Sequence, residues 1–175
     1  MSETSQNQCV SCRKPKASKK CGLCEGDVCK SCLQFIEPTT FSFLPELPPE
    51  LSHTHYCSGC YGSTVEPALV SYGETMELAK TVFVFFTTQK RRPTTLKRGL
   101  EQVRVVACAD RDETILRMAF LAAREGHNAI VETEVDCKKL RNEGYQKSEW
   151  RGVAFPATVD ASKLDREALR DEEYY

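Results

Sequence analysis

Four Cys-x-x-Cys pairs fill the first third of this chain: Cys9/Cys12, Cys21/Cys24, Cys29/Cys32 and Cys57/Cys60. One such turn offers two sulfurs to one ion, and two turns complete a four-sulfur shell. Eight thiols in four such knuckles are therefore the ligand set for two tetrahedral metal sites. A disulfide framework is the competing use of the same cysteines. Residues 1–8 are polar and carry no apolar core of a signal peptide, so the expected compartment is the reducing cytoplasm, where metal is favoured over disulfides. Iron also takes four-cysteine shells, and the spacing fits either metal. Eight ligands without a redox partner domain favour structural zinc, two Zn2+ per chain.

The residues before Cys60 are poor in apolar side chains, and a segment that small folds only weakly unaided. Zinc binding to an unfolded finger releases about 10–16 kcal/mol, enough to fold it. The formal net charge of −1 argues against generic nucleic-acid binding, which calls for a basic excess. No apolar run approaches the length of a transmembrane helix. Charge is nevertheless clustered. Arg13, Lys14, Lys16, Lys19 and Lys20 sit between the first two knuckles. They suit either compensation of thiolate charge or anion binding, the latter through Lys14, Lys16, Lys19 and Lys20. Lys90, Arg91, Arg92, Lys97 and Arg98 form a second basic group, read as a solvated turn.

The expected organisation is a disordered start at 1–8, a zinc finger at 9–64, a linker helix at 65–80, an α+β domain at 81–160 and an acidic tail at 161–175. Between the third and fourth knuckles, Pro38, Pro45, Pro48 and Pro49 rule out a helix through 33–56. Phe35, Ile36, Phe41, Phe43, Leu44, Leu47 and Leu51 in that insert are expected to cover the metal sites. Pro67 is expected to open the linker helix. Residues 81–88 are β-branched and aromatic on both faces, which predicts a strand buried on both sides or at an oligomer contact. A second strand is expected at 103–108. Asp110 with Glu113 resembles a capping box. The helix it opens carries Ile115, Met118, Ala119 and Ala122 at helical spacing and ends at Gly126, expected in the left-handed cap. Residues 129–135 alternate as a third strand, 138–149 read as a polar loop, and 150–159 as a fourth strand. The predicted order is β-β-α-β-β, an antiparallel or mixed sheet with one helix on a face.

The run Cys21-Gly-Leu-Cys-Glu-Gly-Asp-Val-Cys-Lys-Ser-Cys32, closed by His55-Tyr-Cys-Ser-Gly-Cys-Tyr61, resembles the FYVE-type cross-brace zinc finger. The resemblance implies interleaved pairing: Cys9, Cys12, Cys29 and Cys32 on one ion, Cys21, Cys24, Cys57 and Cys60 on the other. Spacing alone leaves a sequential pairing open. FYVE domains bind phosphatidylinositol 3-phosphate through a basic, His-containing stretch. The matching positions here, 18–22, keep Lys19 and Lys20 and lack the histidines. A RING finger shares the cross-brace but normally uses a histidine ligand, which would require His53 or His55 to displace a cysteine.

Residues 122–131 with 150–154 resemble the YbjQ-like group of small bacterial domains. That implies an oligomerising α+β domain, a role with heavy metals, and a bacterial chain. Cys108 and Cys137 lack ligand spacing and read as small apolar residues. The chain carries no Gly-x-Ser-x-Gly, P-loop or His-Glu-x-x-His motif. His127 falls at a helix end, where the dipole favours its cation. The expectation is a non-enzymatic zinc-binding adaptor recognising a protein or an anionic surface. Phosphoinositide binding and a RING-type ligase are the alternatives.

Overall fold

The computed structural model describes residues 8–15, 17–89, 96–142, 145–162 and 164. Lys16, Lys90, Arg91, Arg92, the break at 92–95, residues 1–7 of the start and the acidic end at 165–175 lie outside the described residues, whereas Gln8, expected in the disordered start, forms an isolated antiparallel bridge with Pro15. The chain divides into two compact units, Met1–Glu74 and Thr75–Tyr175.

The first unit contains very little regular structure. Strands β1 (Lys19–Lys20) and β2 (Asp27–Val28) form one antiparallel pair, β3 (Leu33–Phe35) and β4 (His55–Cys57) another. Pairs this short do not hold themselves together in water. The buried set that surrounds them is part sulfur and part hydrocarbon: Cys9, Cys21 and Cys57 with Val28, Ile36, Phe41, Leu51, Tyr56 and Val65. The insert thus contributes Ile36, Phe41 and Leu51 to the same cluster as the ligand cysteines, and Leu44 packs against it. Phe35 and Leu47 do not follow the expectation: Leu47 is exposed, and Phe35 is 59% exposed, packed edge-on against His55 with ring centroids 5.7 Å apart. Among the described residues of the insert, the one helical piece is a single 3-10 turn at Pro49–Leu51.

The linker helix starts earlier than Pro67. The last knuckle runs directly into a helical turn at Ser58–Cys60, then a π-helical stretch at Tyr61–Val65, then α1 at Glu66–Lys80. Proline has no N–H to give an α-helical bond. The wider π turn just before Pro67, closed by Glu66 N–H to Tyr61 O, lets the chain remain helical across it. Tyr72 of α1 packs edge-on against Phe41 at 5.4 Å.

The second unit is a mixed five-stranded sheet. Its strands are β5 (Phe83–Phe86), β6 (Leu96–Arg98), β7 (Val103–Cys108), β8 (Ala129–Asn142) and β9 (Tyr145–Val159). β5 runs parallel to β8; β8 and β9 are an antiparallel pair, and β6 and β7 pair with successive stretches of β9. Helix α2 (Arg111–Arg124) packs Met118 and Ala122 against Ile130, Ala154 and Val105 on one face. Ala129, Val131, Ala157 and Val159 form a separate cluster with Phe85, Leu96 and Phe155. β5 touches both clusters, Val84 the first and Phe85 the second, but its residues are only half-covered and Phe83 is exposed, so the strand is not buried on both sides as expected.

Three further expectations for this unit need correction. The order is β-β-β-α-β-β, because Leu96–Arg98 adds a strand where a solvated turn was expected. Arg98 there pairs with Glu132 at 3.1 Å and lies 3.6 Å from the centroid of the Phe155 ring. The first strand is shorter than 81–88, since the turn that ends α1 occupies Thr81 and Val82. The polar stretch expected as a loop is strand wherever it is described: residues 138–142 end β8 and 145–149 begin β9, with Lys138 opposite Glu149 and Lys139 opposite Ser148. Cross-strand charge pairs support a ladder without an apolar face.

The helix limits match the sequence signals. Asp110 Oδ1 accepts from Glu113 N–H at 2.7 Å, and Glu113 Oε2 accepts from Ala109 N–H at 2.7 Å. Gly126 has φ 82°, the left-handed conformation that closes a helix. Two β-bulges opposite β9 carry left-handed non-glycine residues, Ala107 at φ 58° and Glu132 at φ 51°. Gly152 lets α2 approach the sheet; a Cβ there would stand 2.7 Å from Thr114 Cγ2 and 2.8 Å from Met118 Cε.

Candidate metal centres

The fold brings the eight knuckle cysteines together in two groups, Cys9/Cys12/Cys29/Cys32 and Cys21/Cys24/Cys57/Cys60, each with all four sulfurs within 4.8 Å of one another. The knuckles are interleaved along the chain, first with third and second with fourth. The short strands set this up. β2 ends at Val28 and delivers Cys29; β4 ends in Cys57 itself. Antiparallel pairing of β3 with β4 places Leu33, which follows Cys32, opposite Cys57, so the two centres sit at neighbouring corners of one small frame.

The geometry fits a tetrahedral ion. Cys12 Sγ and Cys29 Sγ are 3.7 Å apart, and Cys24 Sγ and Cys57 Sγ are 3.9 Å apart. A tetrathiolate with metal–sulfur bonds of about 2.3 Å has an edge of about 3.8 Å. The cysteines are free thiols rather than disulfides. Backbone N–H groups point at the sulfurs, as where Cys60 N–H donates to Cys57 Sγ at 3.4 Å.

Electrostatics within each quartet are those of a cation site. N–H groups of Cys29, Cys12 and Ser11 hold the Cys9 thiol down at about 6. Burial pushes Cys21 up, and the N–H groups of Cys24, Cys57 and Leu23 outweigh it, leaving Cys21 at about 6. The thiols of Cys12 and Cys29 push Cys32 up to about 12. Cys60 is raised by burial and by the neighbouring thiols of Cys57 and Cys24. Four sulfurs this close repel one another's charge, and a dication at the centre is what allows all of them to ionise.

The remaining sequence candidates divide differently. Lys14, Lys19 and Lys20 are exposed. Lys19 and Lys20 are consecutive on β1, and consecutive strand residues point to opposite faces, so they do not converge on one anion. His53 and His55 lie outside both quartets. His55 Nδ1 bonds Thr54 Oγ1 at 2.8 Å, and the His53 ring lies 6.2 Å from that of Tyr56. Cys108 is buried and Cys137 half-buried, on β7 and β8, each opposite Trp150 of β9 in register. His127 Nδ1 meets Thr158 Oγ1 at 3.2 Å. A groove of about 410 Å3 on the second unit is lined by Arg104, Glu134, Asp136 and Arg151, among others. Its Asp136 is spoken for by Arg151 at 2.6 Å, which holds the carboxyl below its ordinary range.

Gly22 was not singled out by the sequence. The His53 ring occupies the space where its Cβ would be, and Gly22 N–H donates to His55 O at 2.8 Å. A glycine inside a knuckle was the available signal. No protein-family profile, curated protein or solved structure matches this chain.

Proposed function

We propose that this chain is a non-enzymatic binding protein whose first unit is a two-zinc cross-brace finger of FYVE type. The observation that carries the reading is the interleaving of the quartets Cys9/Cys12/Cys29/Cys32 and Cys21/Cys24/Cys57/Cys60. Four protein ligands fill a tetrahedral shell, whereas a catalytic zinc keeps one position for water or substrate. That supports a structural role for both ions. The finger then acts as a recognition head for a protein or an anionic surface in the cytoplasm. The second unit, YbjQ-like, acts as a carrier that brings several heads together, which raises avidity without new contacts. No helix among the described residues is long and apolar enough to cross a membrane. Sedimentation of the full chain tests the carrier role, and a monomer at all concentrations contradicts it. Elemental analysis tests the metal, and zinc near two per chain is expected.

The exposed Lys14, Lys19 and Lys20 favour a second reading, binding of an anionic phosphoinositide. Opposite directions for Lys19 and Lys20 favour diffuse attraction over a headgroup pocket. Vesicle sedimentation with and without phosphatidylinositol 3-phosphate decides it; equal binding to any anionic vesicle excludes headgroup recognition.

A further inference from the structure

The two metal centres differ in exposure. In the first centre, Cys9 is buried and Cys12, Cys29 and Cys32 are half-covered; in the second, Cys21 and Cys57 are buried, Cys60 is half-covered and Cys24 is exposed. They also differ in surrounding charge. Lys30 lies inside one knuckle of the first centre and Arg13 follows the other, with Arg13 N–H donating to Cys9 O at 2.8 Å. The second centre has Lys20 before Cys21 and Glu25 after Cys24, which cancel, and Ser58 and Gly59 in its other knuckle. A four-thiolate shell on a dication keeps about two surplus negative charges. Cations beside the first centre therefore stabilise its sulfurs, while those of the second keep more electron density. Oxidation of cysteine follows thiolate character and access together.

The geometry points to the second centre as an oxidation site, with Cys24 as the sulfur that reacts with peroxide and Cys57 as the one that completes the reaction. This inference rests on the two-zinc reading above. The Cys24 thiolate attacks one peroxide oxygen. A sulfur–oxygen bond forms, the O–O bond breaks and hydroxide leaves, giving a sulfenic acid. Cys57 Sγ, 3.9 Å away, then attacks the Cys24 sulfur, forming a disulfide and releasing a second hydroxide. Each sulfur has lost one electron and peroxide has gained two. Cys21 and Cys60 alone are too few ligands to retain the ion, so this centre opens while the first stays closed. Since Cys57 ends β4 and Cys60 leads into the helical segment before α1, opening releases the β3–β4 corner of the head.

The test is peroxide titration of the fully metallated chain, with released zinc followed by a chromogenic chelator and disulfides located by peptide mapping. Half of the metal is expected to leave in an early phase, together with a Cys24–Cys57 disulfide, and the other half only at higher peroxide. Glu25→Lys, which keeps every ligand, is expected to slow the early phase; Lys30→Glu is expected to bring the two phases together. Simultaneous loss of both equivalents from the unaltered chain, or a first disulfide among Cys9, Cys12, Cys29 and Cys32, overturns the inference and leaves the two-zinc reading intact. Less than two equivalents of metal before any peroxide is added overturns both.

Discussion

The two units of this chain solve the same problem with different materials. In the second, strands of 14 and 15 residues pair along most of their length and α2 seals one face with Met118, Ala122 and Ile115. Sheet hydrogen bonds and hydrocarbon burial are sufficient there. In the first, no strand exceeds three residues among those described, and cysteines take the central places that leucine or isoleucine would occupy elsewhere. The lesson is where each unit keeps its stability. One stores it in packing, which is spread over many residues; the other stores it at two points, which a single reagent can reach.

The strongest way to break this comparison is to remove the metal. A chelator is expected to unfold the first unit, because metal binding in such modules is worth on the order of 10 kcal/mol. The second unit should not respond. Trp150, the only tryptophan, packs at the edge of the α2-facing cluster and reports on that unit. Its fluorescence should hold steady while amide NMR signals of the first unit collapse to the random-coil range. A tryptophan change that tracks chelation would show that the units do not differ as described.

Gly152→Ala is the converse experiment. The added methyl meets Thr114 and Met118, and overpacking of this kind costs about 1–3 kcal/mol. The thermal transition of the second unit should fall and metal content should stay the same. A smaller loss, about 1 kcal/mol, is expected for Asp110→Ala, which removes the acceptor for Glu113 N–H at the start of α2. Chemical denaturation followed by Trp150 measures it. The smallest effect has the opposite sign. Among the described residues Thr133 Oγ1 is buried without a hydrogen-bond partner, so Thr133→Val should stabilise the second unit by about 1 kcal/mol. A destabilised variant would mean that the hydroxyl has a partner in solution.

How far the sequence could be read tracks the same division. The knuckles were legible because metal chemistry demands a fixed spacing, and α2 was legible because Asp110, Glu113 and Gly126 each satisfy a specific backbone need. The interleaved pairing was implied by the FYVE resemblance and not by spacing, since a sequential arrangement closes loops just as short. The strand at Leu96–Arg98 is not legible in the sequence because three residues contain no period to detect; its pairing comes from β9. Residues 138–149 read as loop because their pairs are polar, and polarity alone does not separate a solvent-facing ladder from a loop. Nothing about Ala107 or Glu132 as residue types announces a positive φ; the bulges arise from the registers of strands that have to meet β9. Pro67 signals a helix start because its missing N–H suits a first turn, but the π turn before it makes the helix continuous with the last knuckle.

The central claim is that two interleaved four-cysteine centres build the first unit. Substitution with cadmium-113 and proton–cadmium correlation NMR tests it most directly, because each cadmium couples only to the Cβ protons of its own ligands. Two cadmium signals are expected, one coupled to Cys9, Cys12, Cys29 and Cys32 and the other to Cys21, Cys24, Cys57 and Cys60. A single signal, or one cadmium coupled to both Cys9 and Cys21, would contradict the account.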